Sequence, residues 1–491
     1  MTSASSVSSP VRRSRVPTIT RIAYGLGSVA NGVRNHGLGY LLLLFYSQVI
    51  GLDARLVGLA ITIGLVVDAF TDTGIGYWSD NLRSRWGRRH PLMYLAALPT
   101  GLVFFLIWNP PAGWSQMALF WYVLALTIFV RFVSSLYEVP NAALAAELTD
   151  DYVERSSLIS LQQYFAWSGG TLMAVLVFGF IFPAFATAQI PNGQFNREAY
   201  AFYGIIGSAV IFAAMMAATL GTHSQIKYLR PAPPKRPMTP RRMFTEVFET
   251  LNNRAFLALF MVAAFGLLAT GVSTTLTYFI NSFFWGFTSE QTAMLAASVL
   301  VSAAIGGLVA PLASRIIGKR RGAFSIGMLA FVGAPLPIML RLTGVLPAES
   351  DGFVFWFVLS VQTFDLGLII AFQILAASML ADLVEPAELK TGRRSEGLFA
   401  ASTSFLGKLV QGFGVTIASF VLTFAGIKTG TDPSQVPADA IWRLGAYYVP
   451  TVLALWMAMM AALTFYKRER SDHEASLTAL AAQRAVPAAA E

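Results

Sequence analysis

The sequence predicts an all-α membrane protein of twelve transmembrane helices arranged as two six-helix bundles. Three observations lead to this fold class: the composition, the number of long apolar runs, and a polar segment in the middle of the chain. Of 491 residues, 55% are hydrophobic and only 12% are charged, whereas soluble domains carry about 25% charged residues. The mean hydropathy is +0.59. This composition excludes a soluble globular protein and indicates a polytopic membrane protein.

Twelve apolar runs are long enough to cross a bilayer, which takes roughly 17 to 25 residues per helix. They lie at residues 21–50, 56–79, 91–109, 118–147, 159–184, 199–222, 256–284, 291–314, 323–341, 352–382, 397–426 and 441–466.

The basic residues are distributed unevenly between the loops. Most of the 35 Lys and Arg residues lie in the N-terminal tail, the C-terminal flank and every second loop, including RSRWGRRHP and the IIGKRRG that begins at Ile316. By the positive-inside rule, this predicts a multi-pass protein of the inner membrane with both termini in the cytoplasm. The net charge of +9 is therefore interpreted as a consequence of placement in the bilayer, which is the expected partner. Binding of nucleic acid is not expected. The N-terminus lacks the apolar core of a cleaved signal peptide.

A polar segment divides the chain into two halves. KYLRPAPPKRPMTPRR, from Lys227, is Pro-rich and basic and contains no acid, as expected of a solvated linker. ALAAELTDDYVERSSLI from Ala143 is similar to SMLADLVEPAELKTGRRSEGL from Ser378. Two similar six-helix halves are the plan of major facilitator carriers, which bind the solute at mid-membrane between them. We expect a cytoplasmic tail at 1–20, bundles at 21–222 and 256–466, a cytoplasmic linker at 223–255, and a second tail at 467–491.

The second predicted helix carries two acids in LVVDAFTDTGIGYWSDN. An ionised side chain at mid-bilayer costs about 2.5 to 3.5 kcal/mol, so intramembrane acids are usually functional. Asp68 and Asp72 share one helix face at i and i+4, and Thr71 adds a hydroxyl oxygen. Two like charges this close favour a cation between them, and these oxygens suit Na⁺ without excluding H⁺. Asp80, at the helix end, is expected only to pair with a structural arginine.

The fourth and eleventh predicted helices supply further polar groups. SSLYEVPNAALAAEL places Glu138 deep in the helix, with Ser135 one turn earlier, and Arg131 is predicted to be the structural partner of Glu138. STSFLGKLVQG places Lys408 in an apolar run, with Ser404 one turn before it. A lysine there needs a carboxylate from helix two or four, unless it snorkels to the surface. Pairing across the halves would couple cation occupancy to their movement.

These motifs resemble a known family. VVDAFTDTGIGYWSDNLRSRWGRRHP is similar to the helix-two signature of the glycoside-pentoside-hexuronide:cation symporters, the family of the melibiose carrier, and YEVPNAALAAELTDDYVERSSL is similar to its helix-four signature. The spacing from YGLGSVANG through FYSQVIGLD also matches. The resemblance implies a cation site at Asp68, Thr71, Asp72 and Ser135, with Lys408 coupling it to the C-terminal half. It also implies that Glu138 takes the place of an aspartate that holds sugar hydroxyls.

Three positions depart from the melibiose carrier. Gly32 stands where that carrier has a second sugar-binding aspartate, Gln163 where it has an arginine, and Ala142 where it has a tryptophan. Melibiose itself is therefore not expected as the solute.

In return, the first helix contains Arg34 with Asn31 and Asn35. Arginine favours bidentate binding of a carboxylate, so we expect an acidic or otherwise unusual glycoside, such as a hexuronide. The alternative is that Arg34 only neutralises Glu138 or a helix-two acid. Polar residues of helices seven and ten are equally expected to line the cavity or to bridge helices: Tyr278, Asn281, Gln362, Asp365 and Gln373. The residues predicted to bind the solute are Glu138, Arg34, Asn31, Gln163, Gln373 and Ser404.

Enzyme classes do not fit this chain. It has four histidines and no cysteine, too few ligands for haem or zinc, and no phosphate-binding Walker loop. The expected function is symport of a glycoside or hexuronide-like solute with Na⁺ or H⁺ by alternating access, by a functional monomer without a cofactor. Two alternatives stay open: a cation-coupled carrier of an amphipathic lysolipid-like solute, and a receptor that binds a solute without moving it.

Overall fold

The structure, a computed structural model, describes residues 16–149, 151–229, 254–333, 335–347, 352–381, 396–431 and 433–466. All regular elements in these ranges are helical. The longer helices are α1 (Thr18–Leu26), α2 (Ser28–His36), α3 (Ala54–Asn81), α4 (His90–Ile107), α5 (Gln116–Leu148), α6 (Tyr152–Leu176), α7 (Arg197–His223), α8 (Arg254–Phe279), α9 (Ser289–Ile317), α10 (Lys319–Gly333), α11 (Leu336–Leu342), α12 (Gly352–Ala381), α13 (Glu396–Ala425) and α14 (Ala438–Thr464).

The described residues contain eleven spans that are long and apolar enough to cross a membrane. The first predicted span is not among them, because it consists of several short helices. After α1 and α2 the chain continues through π-helical turns at Gly37–Leu41 and Phe45–Val49, with Leu42–Leu44 between them. Residues 18–49 still follow one nearly continuous helical path. With this interrupted first span, the prediction of an all-α fold with twelve spans is confirmed.

The ninth predicted span, 323–341, is also interrupted. Helix α10 ends at Gly333, and α11 begins at Leu336 after Pro335. Proline nitrogens carry no hydrogen, so Pro335 and Pro337 cannot donate to the carbonyl groups four residues earlier, those of Phe331 and Gly333. The sequence prediction of one continuous helix here was wrong, and its two prolines explain why.

Contacts of charged residues stabilise both ends of α3, the helix that carries Asp68 and Asp72. Asp53 caps α3, where its carboxylate accepts a hydrogen bond from the backbone N–H of Arg55 at 2.8 Å. The hydrogen bond from the Arg55 guanidinium lowers the pKa of Asp53. At its other end, α3 is tied to the following loop, because Arg89 lies 2.6 Å from Asp80 and 2.7 Å from Glu147. Asp80 therefore has the structural arginine partner predicted for it.

The two halves of the chain meet along three helix pairs. Helix α3 packs on α13, α6 packs on α9, and the π-helical turn Gly37–Leu41 packs on α8. In the first pair, the Thr62 hydroxyl lies 2.7 Å from both the Gly412 carbonyl oxygen and the Thr416 hydroxyl. A Cβ at Gly58 would lie 2.7 Å from Ser419 Oγ, so α3 and α13 approach closely there. This contact places Lys408 of α13 opposite the acids of α3.

Beyond the polar residues of the first span, a second set of contacts joins the halves, and we call it the closed end. It consists of Ser282 Oγ donating to Gln194 Oε1 (3.0 Å), Ser289 Oγ to Asn192 Oδ1 (3.1 Å), and the Gly430 N–H to the Ser47 carbonyl (3.0 Å). Next to it, His36 Nε2 of α2 lies 2.7 Å from the Tyr278 hydroxyl of α8. The Tyr278 ring also packs against Phe178, with centroids 4.3 Å apart.

Parts of the predicted organisation lie outside the described residues. They are 1–15 of the N-terminal tail, 230–253 of the linker, 467–491 of the C-terminal tail, and 382–395 in the second copy of the repeat. The predicted linker is shorter at its start than expected, since His223 is the last residue of α7.

Candidate functional site

Two acids of α3 and one lysine of α13 form the centre of the site. Lys408 Nζ lies 2.7 Å from Asp68 Oδ2 and also contacts Asp72 Oδ2. The Asp68 side chain is 2% exposed, whereas those of Asp72 and Lys408 are 27% and 24% exposed. One ammonium group of the C-terminal half thus lies between two carboxylates of the N-terminal half.

Ser135 of α5 connects the same two carboxylates. Its hydroxyl oxygen lies 3.1 Å from Asp68 Oδ1 and 2.5 Å from Asp72 Oδ1. Because a hydroxyl carries one hydrogen, Ser135 donates to one carboxylate at a time. Ser135 therefore adds a third oxygen-bearing side chain to the pair.

Arg131 contacts a different acid from the one predicted. Its Nη1 lies 3.4 Å from Asp68 Oδ2, and no described contact joins it to Glu138. The prediction that Arg131 is the partner of Glu138 was wrong. Spacing along α5 places both residues on one face, but α3 packs against that helix and brings Asp68 within reach of the guanidinium.

Glu138 instead pairs with Arg34 of α2. Arg34 Nη2 lies 3.0 Å from Glu138 Oε1 and 3.4 Å from Asn31 Oδ1, and it donates to Asn35 Oδ1 at 3.1 Å. Arg34 is 5% exposed, and among the described residues its Nε and Nη1 have no hydrogen-bond partner. Arg34 thus does neutralise Glu138, and the three N–H groups on its Nε and Nη1 have no acceptor among the described residues.

The side chains of the other predicted site residues have no described contact with the side chains of this cluster. The Thr71 hydroxyl donates to the backbone carbonyl of Asp68 at 3.1 Å, along its own helix. Gln163 on α6 and Gln373 on α12 are exposed. Ser404 belongs to α13, but its side chain lies outside the described residues. The structure therefore brings together Asp68, Asp72, Ser135 and Lys408, and beside them Glu138, Arg34 and Asn31.

Gly32 explains one departure from the melibiose carrier. A Cβ at Gly32 would lie 2.0 Å from the Ala166 carbonyl oxygen and 2.7 Å from the Gly170 backbone nitrogen. The backbone of α6 fills the space that a side chain at position 32 would need. A sugar-binding carboxylate cannot be placed there unless α2 and α6 move apart.

The charges of the cluster nearly cancel within the N-terminal half. In their ordinary ionised forms, Arg34 and Arg131 oppose Asp68, Asp72 and Glu138, which leaves one negative charge. Lys408 neutralises it from the other half. No group of three or more His, Cys, Asp or Glu side chains suited to a metal ion occurs in the described part of the chain. Two carboxylates and one hydroxyl can hold a proton or a monovalent hard cation.

Comparisons with known proteins identify the family of the chain. The family model described as MFS/sugar transport protein matches residues 23–470. The isoprimeverose transporter of Lactiplantibacillus pentosus is 24% identical, covering 96% of this chain and 92% of that protein. The mouse sphingosine-1-phosphate transporter MFSD2B is 26% identical, covering 90% of this chain and 88% of that protein.

A solved structure shows the same fold. The bacterial homologue of the human lysosomal transporter Spinster, in an inward-facing and unoccupied conformation, has a TM-score of 0.61 at 14% identity, covering 94% of this chain and 96% of that one. The chain is thus a multi-pass membrane transporter and not an enzyme. It belongs to the MFS/sugar transport protein family, and within it to the glycoside-pentoside-hexuronide:cation symporters.

Proposed function

We propose that this transporter is a symporter that couples Na⁺ or H⁺ to the movement of a glycoside-like solute by alternating access. One observation carries the proposal: Lys408 of the C-terminal half lies between Asp68 and Asp72 of the N-terminal half. A free cation bound there would have to take the place of the ammonium group. Cation binding and separation of the halves are then linked.

The charge balance gives this link its direction. Without Lys408, the N-terminal cluster keeps one negative charge in a low-dielectric environment, which is costly. Either the lysine or a free cation removes that cost. A cation held by Asp68, Asp72 and Ser135 releases Lys408, so α13 is free to move relative to α3. When the cation leaves, Lys408 returns and resets the carrier.

The proposed solute site lies directly beside the cation site, at Glu138, Arg34 and Asn31. Carboxylate and amide groups can hold sugar hydroxyls, and the similarity to the isoprimeverose transporter supports a glycoside. The N–H groups on Arg34 Nε and Nη1, which have no acceptor among the described residues, extend the proposal to hexuronides, whose carboxylate would compete with Glu138 for the guanidinium. Gln163, Gln373 and Ser404 are kept as secondary candidates for the solute site, and Thr71 as a secondary candidate for the cation site.

A second candidate is a cation-coupled carrier of an amphipathic lysolipid-like solute. The 26% identity to MFSD2B favours it, because that relative is a sphingosine-1-phosphate transporter. The polar pair Arg34 and Glu138 would then receive a headgroup. A receptor that binds a solute without moving it is the remaining alternative, and it would give no counterflow.

We also propose the placement of the chain in the membrane. The protein lies in the inner membrane, with both termini in the cytoplasm. The two bundles are residues 21–222 and 256–466, and the transporting unit is a monomer. The distribution of Lys and Arg among the loops supports this orientation. Reporter fusions at the two termini test this orientation. We expect both reporters to be active on the cytoplasmic face of the membrane only.

Solute counterflow in liposomes tests the proposed function. The purified protein is assayed with isoprimeverose-like disaccharides, glucuronides and lysolipids, with and without Na⁺ and at several pH values, as wild type and as Asp72→Asn. The matched control is Asp439→Asn, which removes a carboxylate that is 64% exposed and pairs with Arg443. We expect sugar counterflow that depends on Na⁺ or pH in the wild type and the control, and not in Asp72→Asn.

Each other outcome has a defined meaning. Counterflow of lysolipids alone would support the second candidate function, a lysolipid carrier, in place of a glycoside symporter. Solute binding, detected as a rise in thermal midpoint, without counterflow of any of these solutes supports the receptor. Sugar counterflow that is indifferent to Na⁺, to pH and to Asp72→Asn contradicts cation coupling at this site.

A further inference from the structure

A second buried carboxyl group lies in the C-terminal half, away from the Lys408 cluster. Asp365 is the only charged residue of α12 and lies near the middle of that helix. It is 7% exposed, and its Oδ1 has no hydrogen-bond partner among the described residues. The symport mechanism proposed above does not use Asp365, so its state needs a separate explanation.

Asp365 faces the interruption between α10 and α11. A Cβ at Gly333, the last residue of α10, would lie 2.6 Å from Asp365 Oδ1, so the carboxyl group lies directly against the backbone there. The carbonyl groups of Phe331 and Gly333 are those deprived of helical donors by Pro335 and Pro337. The carboxyl group thus faces the C-terminal end of a helix, which carries partial negative charge. An ionised Asp365 would be repelled by that end, whereas a protonated one can donate to it.

No described cation offsets the charge of Asp365. Within the described part of the chain, no ion pair includes it. The charged residues of the helices packed around α12 and of α14 lie at or near helix ends: Arg254, Glu290, Arg315, Lys319, Arg320, Arg321, Arg341, Asp439 and Arg443. Of these, Arg341 lies over the rings of Phe284 and Trp285, at 4.5 and 5.3 Å.

The titratable neighbours offer no positive charge either. Tyr448 of α14 lies within range of an electrostatic interaction with Asp365. Its hydroxyl donates a hydrogen bond to Ser273 Oγ at 3.3 Å. A buried carboxylate without an ion-pair partner, and without a donor to its Oδ1 among the described residues, is costly in a membrane protein. Binding a proton removes that cost.

We propose that Asp365, against the interrupted helix of α10 and α11, is a proton-binding site of the C-terminal half, separate from the Asp68 and Asp72 cluster. The proton stays on the carboxyl group, whose O–H donates a hydrogen bond to one of the freed carbonyl groups at the end of α10. Interrupted membrane helices commonly supply backbone carbonyls to ion sites. Here the interruption and the acid come from different helices, so movement between α10 and α12 opens or closes the site. The inference does not depend on the identity of the coupling ion.

Infrared spectroscopy of the reconstituted protein tests the assignment. A protonated carboxylic acid has a carbonyl-stretch band that a carboxylate lacks. We expect this band at neutral pH in the wild type and in Asp439→Asn, and a weaker band in Asp365→Asn. Labelling of aspartate carboxyl groups with ¹³C should shift the component that Asp365→Asn removes. The thermal midpoint of Asp365→Asn should stay close to that of the wild type, because Asn has the shape of the protonated acid.

Two results would overturn the proposal. Equal bands in wild type and Asp365→Asn would mean that Asp365 is ionised. Loss of the Asp365 component on addition of Na⁺ would mean that the site holds Na⁺ and not a proton. If Asp365→Asn does not fold, Gly333→Ala replaces it as the test. Its methyl group would press on Oδ1, so the band should shift in frequency, and an unshifted band would also refute the proposal. None of these measurements requires the transported solute.

Discussion

The ammonium group of Lys408 supplies positive charge to Asp68 and Asp72. In the proposed cycle, a free cation supplies this charge once the halves separate. Exposed ion pairs contribute little to stability, whereas removing one partner of a buried pair is costly because it leaves an uncompensated buried charge. Asp68 is the buried member, at 2% exposed. Removing Lys408 alone leaves two carboxylates with only Arg131 and Ser135 to balance them.

A double-mutant cycle measures this interaction. Lys408→Ala should lower the thermal midpoint in Na⁺-free buffer, and adding Asp72→Asn to it should restore part of the loss, because one unpaired charge disappears with its partner. We expect an interaction free energy of about 0.5 to 3 kcal/mol, the range for residues in contact. Additive losses would show that the Lys408 contact does not stabilise this conformation. Na⁺ should raise the midpoint of Lys408→Ala more than that of the wild type if Na⁺ is the coupling ion.

The proposed role of Arg34 in selecting acidic over neutral solutes can be tested by substitution. If its guanidinium binds a solute carboxylate, Arg34→Ala should reduce the affinity ratio of glucuronide to neutral glycoside by about tenfold or more, because charge-assisted hydrogen bonds contribute about 1.5 to 3 kcal/mol. Arg34→Lys is the control, since it keeps the charge and loses the bidentate geometry. Binding isotherms of both solutes give the ratio. An unchanged ratio in Arg34→Ala would leave Arg34 only its role of neutralising Glu138.

At this scale the sequence predicted the acids better than their partners. Asp68, Asp72, Glu138 and Lys408 stand out because charge is rare in apolar runs. Which charge meets which is decided by contacts between helices. Arg131 was assigned to Glu138 from their spacing along α5, whereas it contacts Asp68 of α3. Likewise, nothing in the local pattern around His36 predicts its contact with Tyr278.

Helices α2 and α6 approach each other closely at positions where both helices have glycine. A Cβ at Gly169 would lie 2.9 Å from the Val29 Cα, and one at Gly170 would lie 3.0 Å from the Gly32 carbonyl oxygen. These positions set the distance between the helix that carries Arg34 and the helix that carries Gln163. Small residues allow such backbone approach in membranes.

Gly32→Ala should therefore destabilise the protein. Overpacking of this kind costs about 1 to 3 kcal/mol, and the nearest atom to the new methyl group belongs to the backbone, which cannot turn aside. Gly39→Ala is the matched control, because a Cβ at Gly39 meets nothing within 4 Å. Thermal midpoints of the two variants make the comparison. Equal midpoints would mean that α2 and α6 separate easily, and that position 32 is open to a solute-binding side chain.

The interrupted elements show what periodicity misses. Apolar runs located the spans, because hydropathy depends on composition. They did not locate the π-helical turns of the first span or the break after Gly333, which depend on individual donors. For the break, Pro335 and Pro337 gave a visible signal. For the π-helical turns there was no such signal; the turn Gly37–Leu41 packs against α8, a contact that no local pattern predicts.

Over the whole molecule, the described contacts between the halves include the α3 and α13 pair with Lys408, the α6 and α9 pair, the turn Gly37–Leu41 on α8, and the closed end. Two similar halves were predicted from the repeat and the linker. The contacts of the closed end, and the neighbouring contact of His36 with Tyr278, were not predictable, because they join residues far apart in sequence.

Tyr278→Phe tests whether the His36 contact beside the closed end helps to hold the halves together. It removes the hydroxyl that contacts His36, an interaction of about 1 kcal/mol, so the open population should rise about fivefold. The chain has no cysteine, so a single Asn281→Cys, buried at 4% exposed, reports opening by its rate of thiol labelling. Tyr447→Phe, at an exposed tyrosine of α14, is the control. Equal labelling rates in all backgrounds would show that the hydroxyl does not hold this end shut.

The position of Lys408 also determines how membrane voltage acts on the proposed cycle. In the empty carrier, Lys408 cancels the single negative charge of the N-terminal cluster, so the mobile groups carry no net charge through the electric field. With a cation bound, the cluster is neutral and Lys408 adds one positive charge. One charge crossing 100 mV changes the free energy by about 2.3 kcal/mol. An inside-negative potential should therefore speed the inward turn of the loaded carrier and leave the return of the empty carrier unchanged, which makes uptake electrogenic.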